Sequence, residues 1–358
     1  MAEPGYLCTA MWHFPTRGLE SRPVGRVVEA LEKAAFQPAQ LPAAAVTAVA
    51  IAPSVVMGLV FFKVTALVIL AIAVGIGSLG HLGARLARLP LQISPILPAV
   101  IGVALAGPAT PLQWIVLIAA GGAVLELARA RWLPQMRVQT GLVAFAAIFL
   151  ATAGATAAYL NPNGLKPLAE PIRFWELYGG TSAFDPIRLY VGNLPGPVFA
   201  TSLMAVVVGA AWLWYAGRLS PAVAIAFGLG AALPILFLRW NPAFQLESGP
   251  AWFVVLLLLA DRRFLPSSNA ARPLLGLAAG VAGVALRSKG LGVEAVFLVV
   301  AGLQLAVAAL EGGGWLVDHR YAAWARVQGL RRSTNWSRRG PTPMRSTGAP
   351  TSDSISSM

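Results

Sequence analysis

Ten nearly uninterrupted apolar runs, parted by short charged or Pro/Gly-rich breaks, constrain this chain more than any other feature. They fall at approximately 43–62, 64–80, 93–107, 112–128 and 138–160, then at 198–216, 219–238, 250–260, 273–287 and 291–310. A helix needs about 20 mostly apolar residues to cross the ~30 Å hydrocarbon layer of a bilayer. A barrel strand instead needs alternating segments of about ten residues, which continuous apolar runs do not supply. The fold class read from this pattern is all-α, a polytopic membrane helix bundle of about ten transmembrane helices. Composition agrees: 57% of residues are hydrophobic, 11% are charged, and the mean hydropathy of +0.69 lies outside the soluble range. The third, eighth and ninth runs are short, so they extend through polar flanks, thin the bilayer, or are broken helices lining a site.

The breaks set the organisation. Residues 1–42 carry charges of both signs and prolines, so they read as a cytoplasmic N-terminal tail and the first span as its own insertion signal. Residues 43–160 form a first five-helix half, 161–197 an extracytoplasmic loop, 198–310 a second half, and 311–358 a basic, largely disordered cytoplasmic tail. Alternating through ten spans puts both tails on one face with Arg85, Arg88, Arg129, Arg131, Arg137, Arg218, Arg262, Arg263 and Arg272, most of the 27 Lys and Arg. The positive-inside rule makes that face cytoplasmic, with both termini inside, in a cytoplasmic (inner) membrane. Trp114, Trp240 and Trp252 then mark one interface, and Trp132, Trp212, Trp214 and Trp315 the other. The net charge of +13 is a topology signal, so no nucleic-acid partner is expected; the partner is the lipid bilayer. Five spans on each side of one long loop also permit an inverted repeat.

Chemistry is sparse. Cys8 is the one cysteine, which rules out an intramolecular disulfide or a cysteine-ligated cluster made by this chain alone. No HExxH, P-loop, GxSxG elbow, paired-aspartate or dinucleotide motif occurs in a usable context, so no catalytic residue or metal site is assigned. Glu126, Asp261, Glu294, Lys63 and His81 all stand near span ends, where paired or snorkelling interfacial charges belong. Interior glycines such as Gly77, Gly122, Gly230 and Gly280 suit close helix approach.

The run Leu259-Ala260-Asp261-Arg262-Arg263-Phe264-Leu265-Pro266-Ser267-Ser268 is followed by Ala271-Arg272-Pro273-Leu274-Leu275-Gly276, Leu286-Arg287-Ser288-Lys289-Gly290 and Val293-Glu294-Ala295. Together with Ala200-Thr201-Ser202, Trp212-Leu213-Trp214-Tyr215-Ala216-Gly217-Arg218 and Ser220-Pro221, it resembles the RnfD/NqrB family, membrane components of Rnf electron-transport complexes and of sodium-pumping NADH:quinone oxidoreductases. The resemblance covers approximately residues 90–310. It implies a membrane subunit of an ion-translocating electron-transport complex, with other membrane redox subunits as partners.

It also implies flavin mononucleotide (FMN) on an outer loop, esterified to a threonine within Asp-Gly-x-Ser/Thr-Gly/Ser-Ala-Thr. Here the corresponding stretch reads Tyr178-Gly179-Gly180-Thr181-Ser182-Ala183-Phe184-Asp185. Phe184, or Asp185 after a one-residue shift, replaces the acceptor alcohol, so any FMN is non-covalent. The outer cofactor site expected on this basis is Gly179, Gly180, Thr181, Ser182, Ala183 and Asp185, with Arg173 or Arg188 adding charge. Asp261, Ser267 and Ser268 are its expected inner mirror. The plain alternative is a turn at Gly179-Gly180 followed by an Asp185-Pro186 helix cap. A permease for a small, largely uncharged molecule, or a cofactor-free scaffold, are the other functions this architecture suits.

Overall fold

The computed structural model describes residues 41–310, apart from 90, 92, 179–184, 248 and 267. Among the described residues the regular structure is helical, and β pairing is confined to two isolated antiparallel bridges, Leu160 with Pro167 and Leu219 with Asp261.

Helix α1 (Ala43–Leu86) spans 44 residues, which as one straight rod would measure about 66 Å, twice the hydrocarbon thickness. It is not one rod. Lys63 takes φ 47° and ψ −119°, outside helical geometry, and separates two arms at the charge where the apolar runs are parted. The first arm, 43–62, packs on α7 (Leu203–Tyr215): Gly209 meets the Ala50 carbonyl, and Trp212 Nε1 donates to the Val46 carbonyl at 3.0 Å. The second arm, 64–86, packs on α2 (Ile96–Ala104) and α3 (Leu112–Trp132), with Gly77 against Ile96 and Gly80 against Pro95 and Ala123. Ala50, Ser54, Gly58, Phe62, Ala66, Ile69, Ala73 and Gly77 recur every three or four residues and form its buried stripe. The other faces are equally apolar yet exposed: Val56, Val60, Val64, Leu67 and Leu79 point outward. Helices α1 and α3 are long and apolar enough to cross a bilayer.

Helices α4 (Thr140–Ala151), α7, α8 (Pro221–Phe237), α10 (Gly249–Leu259) and α12 (Glu294–Leu310) are shorter and apolar. Between α4 and α7 lie α5 (Pro171–Tyr178) and α6 (Pro186–Val191); α9 (Pro242–Leu246) precedes α10, and α11 (Ala271–Arg287) precedes α12. Helices α8 and α11 make the most extensive contact. A Cβ on Gly280 would lie 2.5 Å from both the Phe227 carbonyl oxygen and the Ala231 nitrogen, so only glycine admits this approach. One apolar core joins residues of both halves, because the first arm of α1 lies with the second-half helices.

Several expected spans are shorter than their apolar runs, the third being helical only over Ile96–Ala104. The fifth, expected over 138–160, is helical only to Ala151: Ala153 (φ 48°) and Gly154 (φ 87°) turn the backbone left-handed and stop it. The chain then runs beside the end of the third. Gly107 N donates to the Thr156 carbonyl at 2.9 Å and Ala109 N to the Ala158 carbonyl at 3.0 Å. The first residues of the sixth run join them, Val198 N donating to the Ala106 carbonyl at 2.8 Å, before Ser202 Oγ caps α7 through Ala205 N at 3.2 Å. Non-helical backbone survives in so apolar a setting because these segments satisfy one another's polar groups. Gly107 is required there, since a Cβ would run into the Ala158 carbonyl.

The eighth run forms α10, whose residues Phe253–Leu259 adopt the wider π-helical turn. The Leu258 carbonyl accepts from Gln304 Nε2 of α12 at 3.1 Å, and Gln304 Oε1 accepts from Gln139 N, at the start of α4, at 3.0 Å. One buried carboxamide thus ties the two halves together.

Candidate functional site

Polar side chains gather at two ends of this bundle. At the first, α7 ends at Tyr215 and the chain turns back through Arg218, while α10 ends just before Asp261. Asp261 is completely buried, and its Oδ2 accepts from Arg218 Nη2 at 2.6 Å and Arg263 Nη2 at 2.8 Å. Its Oδ1 accepts from the Arg263 backbone N at 3.1 Å. The same guanidiniums reach α1: Arg218 Nη1 donates to the Ala43 carbonyl at 2.7 Å, and Arg263 Nη2 to Thr47 Oγ1. Burial raises the Asp261 carboxyl to about 6, with Arg218 pulling it back, so it is ionised at neutral pH. A second pair stands on the first-half helices. Arg129 grips Glu126 through both carboxylate oxygens, at 2.6 and 3.1 Å, and Thr140 Oγ1 donates to Glu126 Oε2 at 3.1 Å. Arg137 Nη1 donates to the Leu265 carbonyl at 2.8 Å, which brings this pair to the Asp261 end. Glu126 and Asp261 are paired, as expected of them, and both are buried.

The opposite end differs. Glu170 precedes α5 and caps it, accepting from Ile172 N and Arg173 N, both at 2.9 Å; it also accepts from Val293 N at 3.3 Å, beside the start of α12. Glu294, the first residue of α12, accepts from Tyr159 Oη at 2.6 Å. Both carboxyl groups border Gly292, where a Cβ would lie 2.5 Å from Glu170 Oε1 and 2.9 Å from Glu294 Oε2. Both acids are buried. Burial foremost, and then the Glu294 charge, raise the Glu170 carboxyl from 4.5 to about 7; its two backbone N–H partners and the Arg287 charge oppose this. Glu294 is therefore not the simple interfacial charge expected for it: its neighbours are another acid and a phenol.

The residues expected to hold a cofactor are placed unevenly. Gly179, Gly180, Thr181, Ser182, Ala183 and Ser267 lie outside the described residues. Asp185 is exposed and caps α6, its Oδ1 accepting from Ile187 N at 3.0 Å, as an Asp-Pro start dictates. Ser268 is half-buried, and its carbonyl accepts from Ala271 N at 3.2 Å in the turn that opens α11. Asp261 belongs to the arginine tie. Two crevices open near the Glu170 end. One, lined by Glu170, Leu189, Leu194, Thr201 and Pro250, has a cavity volume of about 20 Å³; the other, lined by Gln245, Trp252, Gly280 and Arg287, about 10 Å³. Each suits a single water, and neither takes a flavin ring, which needs several hundred Å³.

Sequence reading passed over Glu170 altogether. Its one local signal was an acid directly before Pro171, the pattern of a capped helix start. Compared with known proteins, the chain matches no family model and no curated protein.

Proposed function

We propose that this chain is an integral membrane subunit of an ion-translocating electron-transport complex of the RnfD/NqrB kind, embedded through ten crossings: the two arms of α1, α2, α3, α4, α7, α8, α10, α11 and α12. The observation that carries the membrane part is the exposed face of α1, where Val56, Val60, Val64, Leu67 and Leu79 stand without a covering element among the described residues, on a helix already apolar on its buried side. So large an unbroken apolar surface belongs in lipid. The arginine-rich Asp261 end faces the cytoplasm, and the Glu170–Glu294 end faces outward.

The complex and its chemistry rest on the ordered motifs from Ala200 to Ala295, with other membrane redox subunits as partners. Any flavin on this chain is non-covalent, because Phe184 and Asp185 offer no acceptor alcohol and Asp185 already serves as a helix cap. The described residues around Asp185 give FMN no phosphate donor set, and no catalytic step is derived through it.

The test is the absorption spectrum of the purified full chain, before and after denaturation and filtration. A flavin spectrum that leaves with the filtrate supports the reading, and substituting both Thr181→Ala and Ser182→Ala then lowers flavin content at least tenfold. A colourless protein that accumulates a solute in liposomes refutes it in favour of a permease.

A further inference from the structure

The geometry points to a pH-sensitive latch at the outward end: Glu170, set beside Glu294 and closed while its carboxyl is protonated, fastens the 159–178 segment to the start of α12 and releases it when that carboxyl ionises. This inference stands on the described contacts and not on the electron-transport reading, which adds only the face from which protons arrive.

Three features make the pair a latch and not merely a buried contact. Each acid holds the other's element: Glu170, from the segment before α5, binds Val293 N beside α12, while Glu294, from α12, binds Tyr159 Oη before that segment. The acids also share the space over Gly292, so their charges are close in a buried setting. Finally, the neighbouring cations do not outweigh burial. The groups facing Glu170 are Glu294 from α12, Tyr159 from the preceding chain, Arg173 of α5 beside Tyr159, and Arg287 from α11. A buried carboxyl beside another acid ionises reluctantly, so Glu170 keeps its proton until the pH rises.

The sign follows. The Glu170 carboxyl is raised when closed, from 4.5 to about 7, so the closed state binds the proton more tightly than the open one. That advantage is complete below about 4.5, declines as pH climbs, and is gone above about 7. The slope cannot exceed tenfold in the open/closed ratio per pH unit.

Hydrogen exchange on the detergent-solubilised full chain measures this, expressed as protection factors so that base catalysis of exchange cancels. Protection of the α5 amides, 172–178, should fall about tenfold or more between pH 5 and pH 8. Glu170→Gln cannot titrate and should flatten the profile. Glu294→Gln removes the second cause of the raised carboxyl and should move the fall to lower pH, an arm that decides the matter if the first variant does not fold. Wild-type protection independent of pH, a Glu170→Gln profile that still falls, or a Glu294→Gln fall at unchanged pH would each overturn the latch. Flavin content, read on the same samples, reports separately on the electron-transport reading.

Discussion

The two polar ends bury carboxylates equally well and compensate them in opposite ways. Asp261 is met by two guanidiniums, a backbone N–H and a network reaching α1. Glu170 and Glu294 are met by backbone N–H groups, one phenol and each other, with the Arg287 charge near Glu170 too weak to offset burial. Low dielectric makes an unpaired charge costly wherever it sits. The first end therefore keeps its charge and acts as a fixed clamp, whereas the second reduces its charge by holding a proton and becomes responsive. Burial alone does not distinguish a structural acid from a functional one; the identity of the compensating partner does.

Variants at the two ends should separate them. The largest effect is expected for Asp261→Ala, which leaves the mostly buried guanidiniums of Arg218 and Arg263 facing each other without their anion. Breaking a buried pair in this way costs about 3–5 kcal/mol, seen as a large fall in the thermal midpoint at pH 7 and above, where the carboxyl is ionised, and a smaller one at pH 5. Gly292→Ala comes next, because its methyl group would enter the space between the two carboxyls; overpacking costs about 1–3 kcal/mol, and the variant should lose protection in α5 while the Asp261 end is unaffected. Tyr159→Phe removes the 2.6 Å bond to Glu294 and should cost about 1–3 kcal/mol. The smallest effect belongs to the exposed cap: Asp185→Ala should cost about 0.5–1 kcal/mol, with the α5 protection profile unchanged.

Sequence pattern reported the apolar elements well because each announces itself locally. The break at Lys63 interrupts Phe61-Phe62 and Val64, Ser220-Pro221 opens α8, and Asp185-Pro186 opens α6. Non-local contacts were beyond it. Nothing in Ala151-Thr152-Ala153-Gly154-Ala155-Thr156-Ala157-Ala158 says that the helix stops at Ala151 to run beside residues 107–109; that stop is fixed by backbone pairing with a segment some fifty positions earlier. Glu170 sits in Lys166-Pro167-Leu168-Ala169-Glu170-Pro171, a stretch that reads as a solvated loop, and its burial comes from residues 292–294. Asp261 was legible as a charge near a span end, yet the reach of Arg218 and Arg263 to Ala43 and Thr47 depends on the first arm of α1 lying with the second half. Local chemistry was readable, and partners brought in by the fold were not.

The central claim is that these two ends face opposite sides of a bilayer, and single-cysteine accessibility tests it most directly. With Cys8 replaced by serine, Asn163→Cys marks the segment before Glu170 and Asn269→Cys the turn after Asp261; both positions are exposed. A membrane-impermeant maleimide should label position 163 in intact cells and position 269 only in inverted vesicles. Labelling of both positions from the same side would contradict the account.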